Sequence, residues 1–507
     1  MRPLDQSPAR PTPATVISRT PQWVAALTAV LLLPRLWEPL GRDQAVFALV
    51  GRLAWDGWLP YRDVFEHKPP GLLLLYALVA PLGDTAPAIL DTAAAALTAG
   101  LLVALLQPLG QRAALLAGLM YALLARHPNF GGFWDIAQPE PLQELALVLG
   151  AWAAVKQRWT AVGLAVSAAL SLKFTLVLAA PAALLAAWPD RRAVGRVALG
   201  LAMPVALLAA AMGLAGGLRP MLESVIAFNQ RHAAHGALEL RQFSAALAGN
   251  ARHFGLAFCG VAMLAVMSVR HGGRRLVGLV GLVLLAAVVQ ALIQAKLWAW
   301  HWQAVVLPLC ALAGMGLATL RPRWQIPLGV AALILATPGW LQYHARHPWP
   351  AHVAGSLSRA EWLQGYTWGR RDWSAIEIAA TGAWLRQRAE PQDRLFVWGF
   401  EPGIYLSSGL RPATRWIYDY PLTVALAPAQ KRAGLAEIAV SLPQTRWWVV
   451  MSADRNALES QPSDVQLLAI PELISALQRD YTLVERVGDA AIYQRTASPT
   501  PADPPNP

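Results

Sequence analysis

The chain of 507 residues holds only two cysteines, Cys259 and Cys310. Both sit in apolar runs, which excludes a disulfide framework and a paired-cysteine metal site. Charge is scarce too, at 14% of residues, where a soluble domain carries about a quarter. There is no GxxxxGK[ST] loop and no convincing GxGxxG turn, so direct use of a nucleotide is not expected. No internal repeat is visible, which argues against transporters built from inverted repeats. What the sequence has is apolar length. Hydrophobic residues make up 56% of it, its mean hydropathy is +0.39, and the apolar residues fall in repeated runs of spanning length.

The formal charge of +12 is not gathered on one soluble face, as nucleic-acid binding would require. It falls in short loops between apolar runs, where sidedness explains it. Residues 1–20 read as a disordered basic tail without a clear cleavage site, and Pro21 to Trp37 as the first span. Leu72 to Leu82 is too short to cross a hydrocarbon core about 30 Å thick, so it is read as interfacial. The other spans are then 86–107, 112–126, 139–155, 159–172, 174–188, 194–215, 253–269, 275–295, 301–320 and 325–342. The loops holding Arg112, Lys156 and Arg158, Arg191, Arg192 and Arg196, Arg270, Arg274 and Arg275, and Arg321 and Arg323 all lie with the N-terminus, the positive-inside pattern.

The expectation is a mainly α polytopic protein of a bacterial-type plasma membrane, with about eleven transmembrane helices plus interfacial helices and a cytoplasmic N-terminus. Residues 21–344 form the membrane domain. From about Ala345 the composition becomes soluble. Helices near 373–389, 428–441 and 470–479 alternate with strands at Arg394–Trp398 and Trp447–Ser452, and a hairpin around Leu483–Arg495 turns at Gly488-Asp489. This predicts a C-terminal extracytoplasmic α/β domain over 345–496, followed by a proline-rich disordered tail at 497–507.

One stretch breaks the apolar pattern. Residues 38–71 form the first outer loop, and Gly41 to Gly71 packs Arg42, Asp43, Arg52, Asp56, Arg62, Asp63, Glu66, His67 and Lys68 between two apolar segments. Ionisable groups are costly at a membrane surface, so their density reads as a site. Asp43 can cap an interfacial helix whose Val46, Leu49, Val50 and Leu53 share a face, and Gly57 can end it. Pro69-Pro70 suits a fresh helix start. The turn from His127 to Glu140, the neighbourhood of Lys173, the loop from Gly216 to Asn250 and the turn from Lys296 to His301 fall on the same side.

The run RDQAVFALVGRLAWDGWLPYRDVFEHKPPGLLLLYAL resembles the first outer loop of GT-C glycosyltransferases of the protein mannosyltransferase and aminoarabinose transferase type. QPEPLQEL, LSLKFTLVL, AWHWQAVVLPL and FVWGFEPGIYLSSGLRPATRW extend the likeness more weakly over most of the chain. The resemblance implies a GT-C fold and transfer of a sugar from a polyprenyl-phosphate carrier to a lipid, glycan or protein acceptor at the outer face of the membrane, with inversion. It also implies an acid after the first span and a basic-Pro-Pro element opening the next helix, which are Asp43 and Lys68 here.

Asp43 serves as an N-cap in the bland reading and as general base or metal partner in the other. Glu140, or Asp135 five residues before it, is the candidate second carboxylate, although an acid at a helix start is also ordinary dipole compensation. Asp43 and Glu140 together could hold a divalent cation. The lipid phosphate that leaves needs fixed positive charge, for which Lys68 leads, with Arg42, Lys173 and Lys296 behind it. Lysines at a boundary usually snorkel, but Lys173 interrupts a long apolar run. His67 and His301 are candidates for substrate binding. A lipid-linked sugar transporter or flippase, or a noncatalytic envelope assembly protein, is the alternative function.

Overall fold

The computed structural model describes residues 19–235, 237–368, 372–455, 459 and 461–496. Apart from Arg19 and Thr20, the basic tail lies outside the described residues, and so does the tail at 497–507. Helices occupy all eleven segments read as spans: Thr20–Leu32, Ala86–Leu106, Gln111–Leu124, Pro139–Val155, Trp159–Leu172, Ala179–Ala187, Arg191–Leu214, Leu240–Val266, Arg274–Ile293, Val306–Ala318 and Pro322–Arg346. Among the described residues six helical runs are long and apolar enough to cross a membrane, or seven if Thr20–Trp37 and Arg42–Trp55, bent by 88°, count as one. Gln111–Leu124, Trp159–Leu172 and Phe174–Ala187 are shorter apolar helices. Met263 and Val266 are 71% and 69% exposed, which in this bundle marks a surface solvated by lipid rather than water.

The short segment after the first loop forms a 10-residue helix, Pro70–Val79, about half the length a crossing needs. Gly83, at φ 78 and ψ −157, breaks it from Ala86–Leu106. Helices Trp159–Leu172 and Arg191–Leu214 meet so closely that a Cβ on Gly163 would lie 2.1 Å from the Val197 carbonyl oxygen. This small-residue contact holds helices together where no hydrophobic effect acts between them.

The expected cap on the interfacial helix Arg42–Trp55 is not made. Gly41 is its N-cap residue, no side chain caps it, and Asp43 sits in the first turn. An acid there is favoured by the helix dipole, and its carboxylate is left free to face outward from the helix start. Gly57, at φ +93, ends the helix as its sequence predicts.

The C-terminal region carries a five-stranded mixed sheet. Arg411–Pro412, Arg394–Trp398 and Trp447–Met451 are neighbours in parallel, and Trp447–Met451 then pairs antiparallel with Ala490–Arg495, itself antiparallel to Tyr481–Val487. Gly488 turns the hairpin at φ +55. The short edge strand Arg411–Pro412 and the helices Arg359–Gln364, Gly403–Ser408 and Ser463–Leu468 are additional to the elements read from sequence. This sheet domain sits on the loop 38–71. The Phe65 N–H donates to the Arg415 carbonyl at 2.9 Å, and the Phe65 and Trp416 rings stack 5.0 Å apart. One hydrophobic core runs from Val46 and Leu49 of the loop helix into Phe396 and Val449 of the sheet.

Candidate active site

A cavity of about 640 Å³ opens between the first loop, the bundle and the segment around 225–233. Asp43, His67, Lys68, Lys173, Lys296 and His301 all line it, together with Gln138, Asn229, His232, Trp298 and Trp300. Six of the residues singled out in the sequence thus share one cavity, although they come from three separate parts of the chain.

Local backbone explains how each reaches the cavity. Asp43 stands in the first turn of its helix and accepts from Gln138 Nε2 at 3.3 Å. Lys68 precedes the two prolines that start Pro70–Val79, and its Nζ lies 3.2 Å from His67 Nε2. Lys173 is extended, at φ −159 and ψ 114, in a break between two helices. Gln143 Nε2 donates to the Lys173 carbonyl there at 2.8 Å, supplying a partner that the broken helix cannot. Lys296 sits in a turn whose flanking Ala295 and Leu297 both have positive φ, 54° and 49°. Two left-handed non-glycine residues, one on either side of Lys296, cost energy, and such strain clusters at functional sites.

Electrostatically the wall is basic. Lys173 is paired with Glu140, which is fully buried behind it. Lys296 Nζ has neutral partners: His232 Nε2 at 2.7 Å, the His232 carbonyl at 3.2 Å, and the Trp298 ring at 5.4 Å. Burial, with Lys68 and Lys173 adding repulsion, holds the Lys296 ammonium down at about 7. Burial foremost, then Lys68, pushes His67 well below the usual histidine range, and burial followed by Lys296 does the same to His232. The imidazoles are therefore neutral hydrogen-bond partners rather than cations. Three lysines around one lining carboxylate make an anion site. That donor set does not fit a divalent cation bridged by Asp43 and Glu140, and among the described residues no three His, Cys, Asp or Glu side chains converge to hold a metal.

Arg42, Asp135 and Glu140 do not line this cavity. Arg42 points into the α/β domain, donating to Glu401 Oε1 from Nε at 2.9 Å and from Nη2 at 2.7 Å. Asp135 is buried against Arg35, and its Oδ2 accepts from Gln303 Nε2 at 2.6 Å. Arg35 also donates to the Gly132 carbonyl and to Asp91, and Arg126 reaches the other Asp91 oxygen at 2.8 Å. This buried network clamps the turn from which Gln138 reaches Asp43. Burial explains it: an unpaired carboxylate at that depth would be costly, so each finds an arginine or an amide. Sequence reasoning overlooked Gln138, Asn229, His232 and Tyr420. The run Asn229-Gln230-Arg231-His232 in the long outer loop was the signal available for two of them.

The fold can now be compared. ArnT from Cupriavidus metallidurans, in a crystal structure with undecaprenyl phosphate bound, superposes with a TM-score of 0.60 at 16% identity, over 95% of this chain and 99% of that one. Its apo structure gives 0.59 at 14% identity, over 96% and 100%. The fold is of the GT-C type. Both chains are matched almost end to end, so the GT-C likeness includes the C-terminal sheet domain as well as the helices. No protein-family model matches the chain, and no curated protein matches it in sequence.

Proposed function

We propose that this chain is an integral-membrane glycosyltransferase that moves a sugar from a polyprenyl-phosphate carrier to an acceptor at the outer face of the membrane. The observation that carries the reading is the cavity itself, where Lys68, Lys173 and Lys296 converge around Asp43. A phosphate on a long apolar tail needs such a basic pocket beside lipid, and the neighbour with this fold binds one such lipid. Sidedness follows the loop charges, with the N-terminus in the cytoplasm and the α/β domain outside.

The chemistry is a direct displacement. An acceptor O–H or N–H attacks the anomeric carbon, and its proton passes to the Asp43 carboxylate. The new bond forms as the bond from that carbon to the phosphate oxygen breaks. The electron pair leaves with the lipid phosphate, which gains one negative charge. Lys68 and Lys296 neutralise that charge as it develops. Lys173, held by Glu140, adds fixed positive charge behind them. Because the phosphate leaves from the face opposite the incoming group, the configuration inverts.

The test is transfer in proteoliposomes supplied with a labelled polyprenyl-phosphate sugar and an envelope extract as acceptor source. A covalent product that is lost in Asp43→Asn supports the reading. Movement of intact lipid-linked sugar across the bilayer with no covalent product would replace it with a flippase.

A further inference from the structure

His232 stands between Lys296 and the α/β domain. Its Nε2 lies 2.7 Å from Lys296 Nζ and its Nδ1 lies 2.6 Å from the Tyr420 hydroxyl. An ammonium can only donate, so Nε2 is the acceptor and the ring proton sits on Nδ1, where it donates to Tyr420. The ring is further fixed by stacking on Phe228, 5.9 Å away at 13°. Tyr420 is buried, and its ring stacks on Phe400 of the same domain at 5.9 Å. The Lys296 ammonium is thus aimed by a chain of contacts that ends outside the membrane bundle.

We propose that His232 and Tyr420 are positioning residues for Lys296, so that the α/β domain supports the phosphate-binding wall of the cavity from behind. This rests on the reading that the cavity holds a lipid phosphate. The other charged groups facing Lys296 are Lys68 and Lys173, which repel its proton, and Asp43, which retains it. Their elements are separate from the His232 loop, so removing the Tyr420 hydroxyl changes one contact and leaves these in place. Without it the Nδ1 proton is unanchored, the acceptor lone pair on Nε2 is no longer fixed, and the ammonium loses support.

Two measurements on the full chain in detergent test this. The first is the pH dependence of Lys296 acylation by an amine-reactive reagent, read by peptide mass spectrometry. Tyr420→Phe and His232→Ala are expected to speed acylation by about fivefold at about pH 5, where the ammonium form predominates and the free-amine fraction follows the loss of one hydrogen bond. His232→Gln, whose side-chain oxygen can accept from the ammonium, restores slow acylation. The second is the dissociation constant for undecaprenyl phosphate. Tyr420→Phe weakens binding by about fivefold, and adds nothing once Lys296 is replaced by Met. Unchanged acylation in Tyr420→Phe and His232→Ala overturns the proposal, as does a Tyr420→Phe binding loss that adds in full to that of Lys296→Met. If acylation responds as expected but the unsubstituted chain does not bind the lipid, the positioning of Lys296 stands and the polyprenyl-phosphate reading falls.

Discussion

Arg42, in the first turn of the loop helix, is bonded through two nitrogens to Glu401 of the α/β domain, both side chains being almost fully buried. The pair joins the element that carries Asp43 to the domain that carries Tyr420. Removing one partner of a buried pair strands the other charge, so Glu401→Ala is expected to lower stability by about 3 kcal/mol. Thermal unfolding in detergent checks this, and limited proteolysis should release the C-terminal domain sooner in the variant.

Asp43→Asn keeps the shape of the side chain and removes its ability to take a proton. Transfer should fall by about a hundredfold or more, while undecaprenyl phosphate still binds, because the lysines are untouched. Single-turnover transfer and equilibrium binding on the same preparation separate the two. Equal losses in both would make Asp43 a binding group instead.

Lys173 and Glu140 form a buried pair whose roles the substitutions can divide. Lys173→Met leaves Glu140 without its cation and should cost about 3 kcal/mol. Adding Glu140→Gln should recover most of that in thermal unfolding, because both charges are then gone. Transfer should stay reduced in the double variant if Lys173 supplies charge to the phosphate.

The Lys296 ammonium is depressed to about 7, so the proton is lost as pH rises through that value. Charge at this position is present below about 7 and absent above it, so the kcat/KM for donor should fall on the alkaline side in the free enzyme. Lys296→Arg keeps its proton across this range and should flatten that limb. A pH profile of both proteins from about 6 to 9 decides it.

Much of the fold is legible in the sequence because the bilayer imposes simple rules. Apolar length located a helix in each of the eleven segments, of which six or seven runs among the described residues are long enough to cross, and Gly488-Asp489 between two β-rich runs located the hairpin. Lys173 stood out because a charge interrupting apolar sequence is expensive and therefore conspicuous, and Lys68 because it stands just before Pro69-Pro70. Arg42 and Asp135 were harder to place, since a charged residue in an outer loop reads the same whether it faces a cavity or a distant partner. The partners, Glu401 and Arg35, lie far away in the chain. Tyr420 carries no local signature at all, and His232 only that of a short polar run. Their role depends on a loop and a sheet domain meeting, which no window of sequence contains.

The Arg42–Glu401 bond spans 359 positions of sequence. During synthesis the loop helix leaves the ribosome hundreds of residues before its partner exists, so the early chain must wait with an unanswered guanidinium at the bilayer surface. The domain bearing Tyr420, which holds His232 from behind, arrives last, after every helix of the bundle has emerged. A nascent or truncated chain would then present His232 without the hydroxyl that meets its ring, and the cavity would reach its final form only when the last domain has folded down behind it.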